Sequence, residues 1–240
     1  MHEYDLGGYR ARRVGVRAMI LLSDPRVAAV PSIDDKDPLV DLRHLAELRL
    51  DARAADPAGA YARLRRGVVD RLLKAQSALP HGLRLLVVEG YRPYDAQLAI
   101  YTGYRDELRR RHPSWDGERL LVETSKFVSP VEVAPHSTGG AVDLTLCTDD
   151  GAELDMGTLI DATPVDSENA CFTAAGNISA EARANRQIMI EALTSAGMVN
   201  YPTEWWHWSF GDRYWAISTN APHACHGPVR LGDDGGFGAS

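Results

Sequence analysis

With 240 residues, 45% of them hydrophobic and 25% charged, the chain can bury one sizeable core. Its formal net charge of −7 excludes a sequence-independent nucleic-acid binder, which needs a basic surface. No apolar run approaches the roughly 18 residues of a membrane-spanning helix, so neither nucleic acid nor a membrane is an expected partner.

The N-terminus sets Arg12 and Arg13 before an apolar stretch, Ala18 to Leu22. That stretch is too short for a signal-peptide core and no small-residue cleavage site follows it, so a cytoplasmic location is expected. Three widely spaced cysteines, Cys147, Cys171 and Cys225, fit neither a disulfide framework nor a paired-cysteine metal cluster, and read as free thiols in a reducing compartment. No repeat or Pro/Gly-rich linker divides the chain, and a single domain over residues 1–240 is expected.

Residues 1–57 read as irregular, with turn signals at Ser23-Asp24-Pro25 and Asp37-Pro38. The spacing of Tyr61, Leu64, Val68, Leu72 and Ala75 predicts a helix from Ala58 to Gln76. Leu83 to Val88, bounded by Gly82 and Gly90, reads as a buried strand. A second helix is predicted from Pro93, with an apolar stripe of Ala96, Ile100, Tyr104 and Leu108, a basic end at Arg109, Arg110 and Arg111, and a stop at Pro113. Ala141 to Cys147 alternates as a strand, Val142, Leu144 and Leu146 on one face and Asp143 and Thr145 on the other. Ser179 is a plausible N-cap for a helix carrying Ile188, Met189, Ala192 and Leu193 and stopped at Gly197. Glu204 to Phe210 reads as an aromatic-rich final strand, and 227–240 as a tail. Strands and helices do not alternate regularly, which favours an α+β fold over a doubly wound parallel sheet.

Three constellations carry chemistry. In His136-Ser-Thr-Gly139-Gly-Ala141-Val-Asp143, a histidine in a glycine-rich turn and an aspartate on a strand can point at one place. Taken alone, the pair reads better as a loop cap and an ion-paired carboxylate, although Asp143 between Val142 and Leu144 needs a cation or several donors if buried. In Glu204-Trp205-Trp206-His207-Trp208 the tryptophans are core material. Glu204 and His207 face opposite sides of a regular strand, and can share a site only if Glu204 lies at an irregular entrance below Pro202. In Glu89-Gly90-Tyr91-Arg92-Pro93, with Gln97 one turn on, the arginine either pairs with Glu89 or reaches over a site beside the sheet.

Taken together, EGYRPYDAQ, HSTGGAVDLTL followed by LDMGT, and EWWHW resemble in order and spacing the vancomycin-resistance D-alanyl-D-alanine dipeptidases, part of a wider group of zinc D,D-peptidases that share a fold with the hedgehog signalling domain. The resemblance runs from about Leu83 to Phe210. It implies a central, mainly antiparallel sheet flanked by helices, a Zn2+ ion on His136, Asp143 and His207, and Glu204 as catalytic base. It further implies that Arg92 polarises the scissile carbonyl and that Asp161 lies near a substrate ammonium. The implied reaction is hydrolysis of small D,D-dipeptides, D-alanyl-D-alanine foremost. The alternatives are a D,D-carboxypeptidase or other peptidoglycan-peptide hydrolase, and a non-catalytic zinc-stabilised binding module; a structural site needs neither Glu204 nor Arg92.

Two positions depart from the pattern. Ala134 stands where a serine is usual, two residues before His136, and the segment LRLDARAADPAGAYARL replaces an Asn-Asn-Phe-containing stretch; both are expected to shape the substrate pocket rather than the metal. One further cluster, His223-Ala-Cys225-His226, has zinc-suited side chains but is crowded, and reads as a structural turn.

Overall fold

A computed structural model describes residues 19–125 and 128–230, so Arg12, Arg13, Ala18 and the tail from 231 onward lie outside the described residues. The chain enters through a short helix, α1 (Pro25–Ala28), capped by the Asp24 carboxylate, which accepts from the Arg26 amide. Strands β1 (Leu39–Asp41), β2 (Arg49–Leu50) and β3 (Arg63–Arg65) precede helix α2 (Arg66–Ala78). β1 and β3 form a separate antiparallel pair with Val40 opposite Leu64.

The helix predicted from Ala58 therefore starts eight positions later, at Arg66. Gly59 adopts φ +64°, Ala60–Ala62 make a single 3-10 turn, and Leu64 is buried from a strand. Asp56 stabilises this alternative by accepting from the amides of Ala58 and Tyr61. The carbonyls of Tyr61 and Arg63 are taken by the amides of Gly90 and Tyr91, bonds that a continuous helix would forbid. Beyond Arg66 the periodicity holds, and Val68, Leu72 and Ala75 are fully buried.

The remaining elements are β4 (Leu83–Glu89), α3 (Tyr94–Arg111), α4 (Gly117–Ser125), β5 (Ala141–Thr148), α5 (Ala180–Ser195), β6 (Val199–Asn200), β7 (His207–Ser209) and α6 (Arg213–Thr219). The main sheet runs β2-β4-β5-β7-β6, and only β2 and β4 pair parallel. The fold is α+β with a mainly antiparallel central sheet, as the sequence suggested. Leu72 of α2 and Met189 and Leu193 of α5 pack with Leu85, Leu144, Leu146, Trp205 and Trp208 in one core, so the tryptophans are core residues.

Two elements are placed differently from the expectation. α3 is bounded by Pro93 and Pro113, but it buries Gln97 and Tyr101, while Ala96 and Ile100 are exposed. Gln97 turns inward because its amide donates to Ser129 O and its carbonyl accepts from Arg92, partners no hydrophobic pattern reveals. The final strand is only His207–Ser209; residues 204–206 form a turn, and the Asn200 side-chain amide donates to the carbonyls of Glu204 and His207 across it. α5 begins as read, its Ser179 hydroxyl accepting from Ala182 N, and ends at Gly197 with φ +88°.

Between β5 and α5, residues 149–179 contain no helix or strand. What fixes this loop is Arg186 of α5, 1% exposed. Its guanidinium donates to the carbonyls of Met156, Ala170 and Phe172 at 2.7–2.8 Å. Burial pushes its pKa down to about 10, still far above neutrality, so the charge persists.

Candidate metal centre and cleft

Three neighbouring strands set the site in one row. In the register of β4, β5 and β7, Glu89 lies opposite Asp143, and Asp143 opposite His207. A bulge between Val87 and Glu89 brings Glu89 onto the same face as Asp143, a shift that strand periodicity alone does not anticipate. His136 arrives from outside the sheet, on a 3-10 turn (His136–Thr138) closed by Gly139 at φ +67°.

Gly90 aims the His136 ring. Its carbonyl lies 2.7 Å from His136 Nδ1 and can only accept, so Nδ1 carries the proton and Nε2 presents a lone pair. A Cβ on Gly90 would meet Arg63 O at 2.5 Å, so only glycine lets the chain pass here.

His136 Nε2, His207 Nδ1 and Asp143 Oδ1 converge. The nitrogens are 3.1 Å apart, and the oxygen is 3.3 Å from the first and 3.0 Å from the second. Each side chain is only 5–6% exposed. Ligands of a tetrahedral Zn2+ at about 2.0–2.1 Å stand roughly 3.3–3.4 Å apart, so spacing and donor types both fit one such ion, with a fourth position left for the cleft. Burial opposes charge on Asp143, yet the imidazoles of His136 and then His207 hold its pKa far below the usual carboxylate range. Burial likewise opposes charge on His136, and Asp143 outweighs it and raises the pKa. Three electron-rich atoms around one point are the electrostatic signature of a cation site.

Glu204 stands at the irregular entrance to β7, its Oε2 3.8 Å from His207 Nδ1. It is near the three converging atoms without being one of them. Burial pushes its pKa up to about 7; the Asp143 and Asp161 carboxylates add to the rise, and His207 and Arg92 oppose it. Arg92 lines the same cleft, held by both readings at once: Nε and Nη2 donate to the Glu89 carboxylate at 2.7 and 2.5 Å, and Nη1 to Gln97 Oε1 at 2.9 Å. Asp161, at φ +64°, reaches the cleft from the loop that Arg186 anchors.

The cleft, about 380 Å³, thus gathers all six candidate residues. Leu22, Ile100 and Val128 give it an apolar side that sequence reading missed, since they come from three distant segments with no common pattern. Ala134 is in the lining, as anticipated. The segment LRLDARAADPAGAYARL is not: it backs the site, holding the Gly90-Tyr91 turn through the carbonyls of Tyr61 and Arg63.

The raised pKa of Glu204 has a measurable sign. A carboxyl whose folded pKa rises from 4.5 to about 7 stabilises the fold below pH 4.5, and that contribution is lost as pH rises through 7. In metal-free protein, Glu204→Gln should therefore gain stability relative to the parent between pH about 5 and 8, by up to about 3 kcal/mol. Denaturant midpoints in chelator at both pH values measure it, and a pH-independent difference would contradict the burial of this carboxyl.

Comparison with known proteins places the chain in a family. The Peptidase M15 family model, D-ala-D-ala dipeptidase, matches residues 57–227. A D-alanyl-D-alanine dipeptidase of Synechocystis sp. is 31% identical over 186 residues, 68% of this chain and 75% of the relative. That of Enterococcus faecium is 30% identical over 152 residues, 60% of this chain and 71% of the relative. Among solved structures, the vancomycin-resistance D,D-pentapeptidase VanY in complex with Zn(II) aligns with TM-score 0.39 and 15% identity over 71% of this chain and 86% of that one, a likeness too loose to bear on function. The protein is a metallopeptidase. Within that class, the chain belongs to the Peptidase M15 D-ala-D-ala dipeptidase family.

Proposed function

We propose that this chain hydrolyses free D-alanyl-D-alanine with a Zn2+ ion held by His136, Asp143 and His207. The convergence of their three ligand atoms within 3.0–3.3 Å on the cleft floor, with Glu204 beside them, carries the reading. The bound ion supplies Lewis-acid activation of water and of the scissile carbonyl. The chain does the rest. Glu204 takes the proton of the attacking water and delivers it to the leaving amine. Arg92, fixed by Glu89 and Gln97, stabilises the developing oxyanion without reorganising. Asp161 receives the substrate ammonium, and Leu22, Ile100 and Val128 exclude water from the alanine side chains. We take the catalytic unit as one domain spanning the chain, built on the single five-stranded sheet that bears Asp143 and His207. The unpaired thiols Cys147, Cys171 and Cys225 support a reducing, cytoplasmic setting.

Substrate length tests the reading. kcat/KM for D-Ala-D-Ala should exceed that for its L,L and L,D isomers and for a wall pentapeptide ending in D-Ala-D-Ala by at least about tenfold, a margin of about 1.4 kcal/mol. Ala134 cannot donate the hydrogen bond a serine would, so the absolute value should respond to Ala134→Ser. Preference for the pentapeptide would replace the dipeptidase reading with a carboxypeptidase.

A further inference from the structure

We propose that Asp35, Cys225 and His226 form a second cation site, selective for a thiophilic divalent ion such as Zn2+ or Co2+ and separate from the catalytic centre. One ligand atom from each, a carboxylate oxygen, the Sγ and a ring nitrogen, lie within 4.8 Å of one another. The sequence could show only the His-x-Cys-His run; the chain supplies Asp35 from the other end. Asp35 N donates to Cys225 O, Ile33 N to Ala224 O and Ala224 N to Pro31 O, a backbone ladder that holds the two segments side by side.

The second observation is the state of His226, 2% exposed. Its Nδ1 lies 3.1 Å from Phe210 O, which can only accept, so the proton belongs there. Nε2 then turns a lone pair toward Asp37 Oδ2 at 3.4 Å, an acceptor facing an acceptor in the interior. Burial, and then the Arg65 guanidinium, disfavour a proton on this imidazole, while Asp35 and Asp37 favour one. Neighbouring cations do not fill the gap: Arg65 is engaged by the carbonyls of Thr138, Asp37 and Gly227 and by Asp34, and Arg71 stacks on Phe210 and donates to Gly67 O. A bound ion would displace the Cys225 thiol proton to solvent and draw in the exposed Asp35 side chain. Mixed S, N and O donors favour zinc or cobalt over magnesium or calcium.

Co2+ distinguishes the two sites, because the catalytic centre offers no sulfur. Untagged, reduced, metal-free protein reloaded with Zn2+ should hold two equivalents, and with Co2+ should show a near-ultraviolet thiolate charge-transfer band. Cys225→Ser should hold one equivalent and lose the band while dipeptide turnover stays within about twofold. His136→Ala should hold one equivalent, lose turnover and keep the band; in that background Zn2+ should raise Tm, and adding Cys225→Ser should abolish the rise. A single equivalent in the parent protein, no band, or two equivalents in Cys225→Ser would each overturn the second site without touching the catalytic one.

Discussion

Glu204→Gln protein loaded with Zn2+ should turn over dipeptide at least about 10²-fold more slowly than its parent while holding the same amount of metal. The substitution keeps the size of the side chain at the entrance to β7 and removes only its capacity to take a proton. Because Glu204 stands 3.8 Å from His207 Nδ1 and outside the trio of converging atoms, metal affinity should be little changed. KM should also hold within a few-fold, since the residue serves the transition state rather than the bound dipeptide. Single-turnover assays together with metal analysis separate the two effects. Near-parental turnover in a metal-replete variant would assign the base elsewhere.

Loss of a ligand should be more severe. Asp143→Ala leaves two imidazole nitrogens 3.1 Å apart with no anion between them, on a strand where Asp143 is central to the row of Glu89 and His207. Activity should fall beyond the roughly 10–100-fold that loss of a supporting hydrogen bond costs a metal site, and the protein should hold one equivalent of metal less than its parent. His136→Ala should do the same, with the Gly90 carbonyl left without its imidazole donor. Circular dichroism confirms the fold, and elemental analysis counts the ion. Folded variants with the parental metal content would refute this centre.

The α+β class and the co-location of the candidate residues were legible in the sequence, and several element bounds were not. The resemblance carried by EGYRPYDAQ, HSTGGAVDLTL and EWWHW picked out His136, Asp143, Glu204, His207, Arg92 and Asp161, which line one cleft, whereas the residues read singly left His136, Asp143 and Arg92 open to plainer roles. The doubt over Glu204 and His207 on opposite faces of a strand dissolves, since β7 begins only at His207. The early start given to α2 shows the opposite case. Tyr61 and Leu64 fit a helical period by coincidence, and the carbonyls that prevent a helix there are claimed by Gly90 and Tyr91, partners far along the chain. The one-residue rotation of α3 toward Gln97 has the same origin, as a buried amide outweighed an exposed isoleucine. Asp35 beside Cys225 was invisible for the simplest reason: nearly the whole chain separates them.

The anchoring of residues 149–179 by Arg186 bears on how this cleft could acquire new preferences. Its three hydrogen bonds end on main-chain oxygens of Met156, Ala170 and Phe172, atoms every residue type possesses. The grip is therefore blind to side chains. That grip leaves side-chain identity at these three positions unused, while Asp161 at φ +64° keeps its own conformational demand on the loop. The arginine is thus one fixed point of the loop, and Gly157, at φ +85° and with no room for a Cβ beside Ile178, is another.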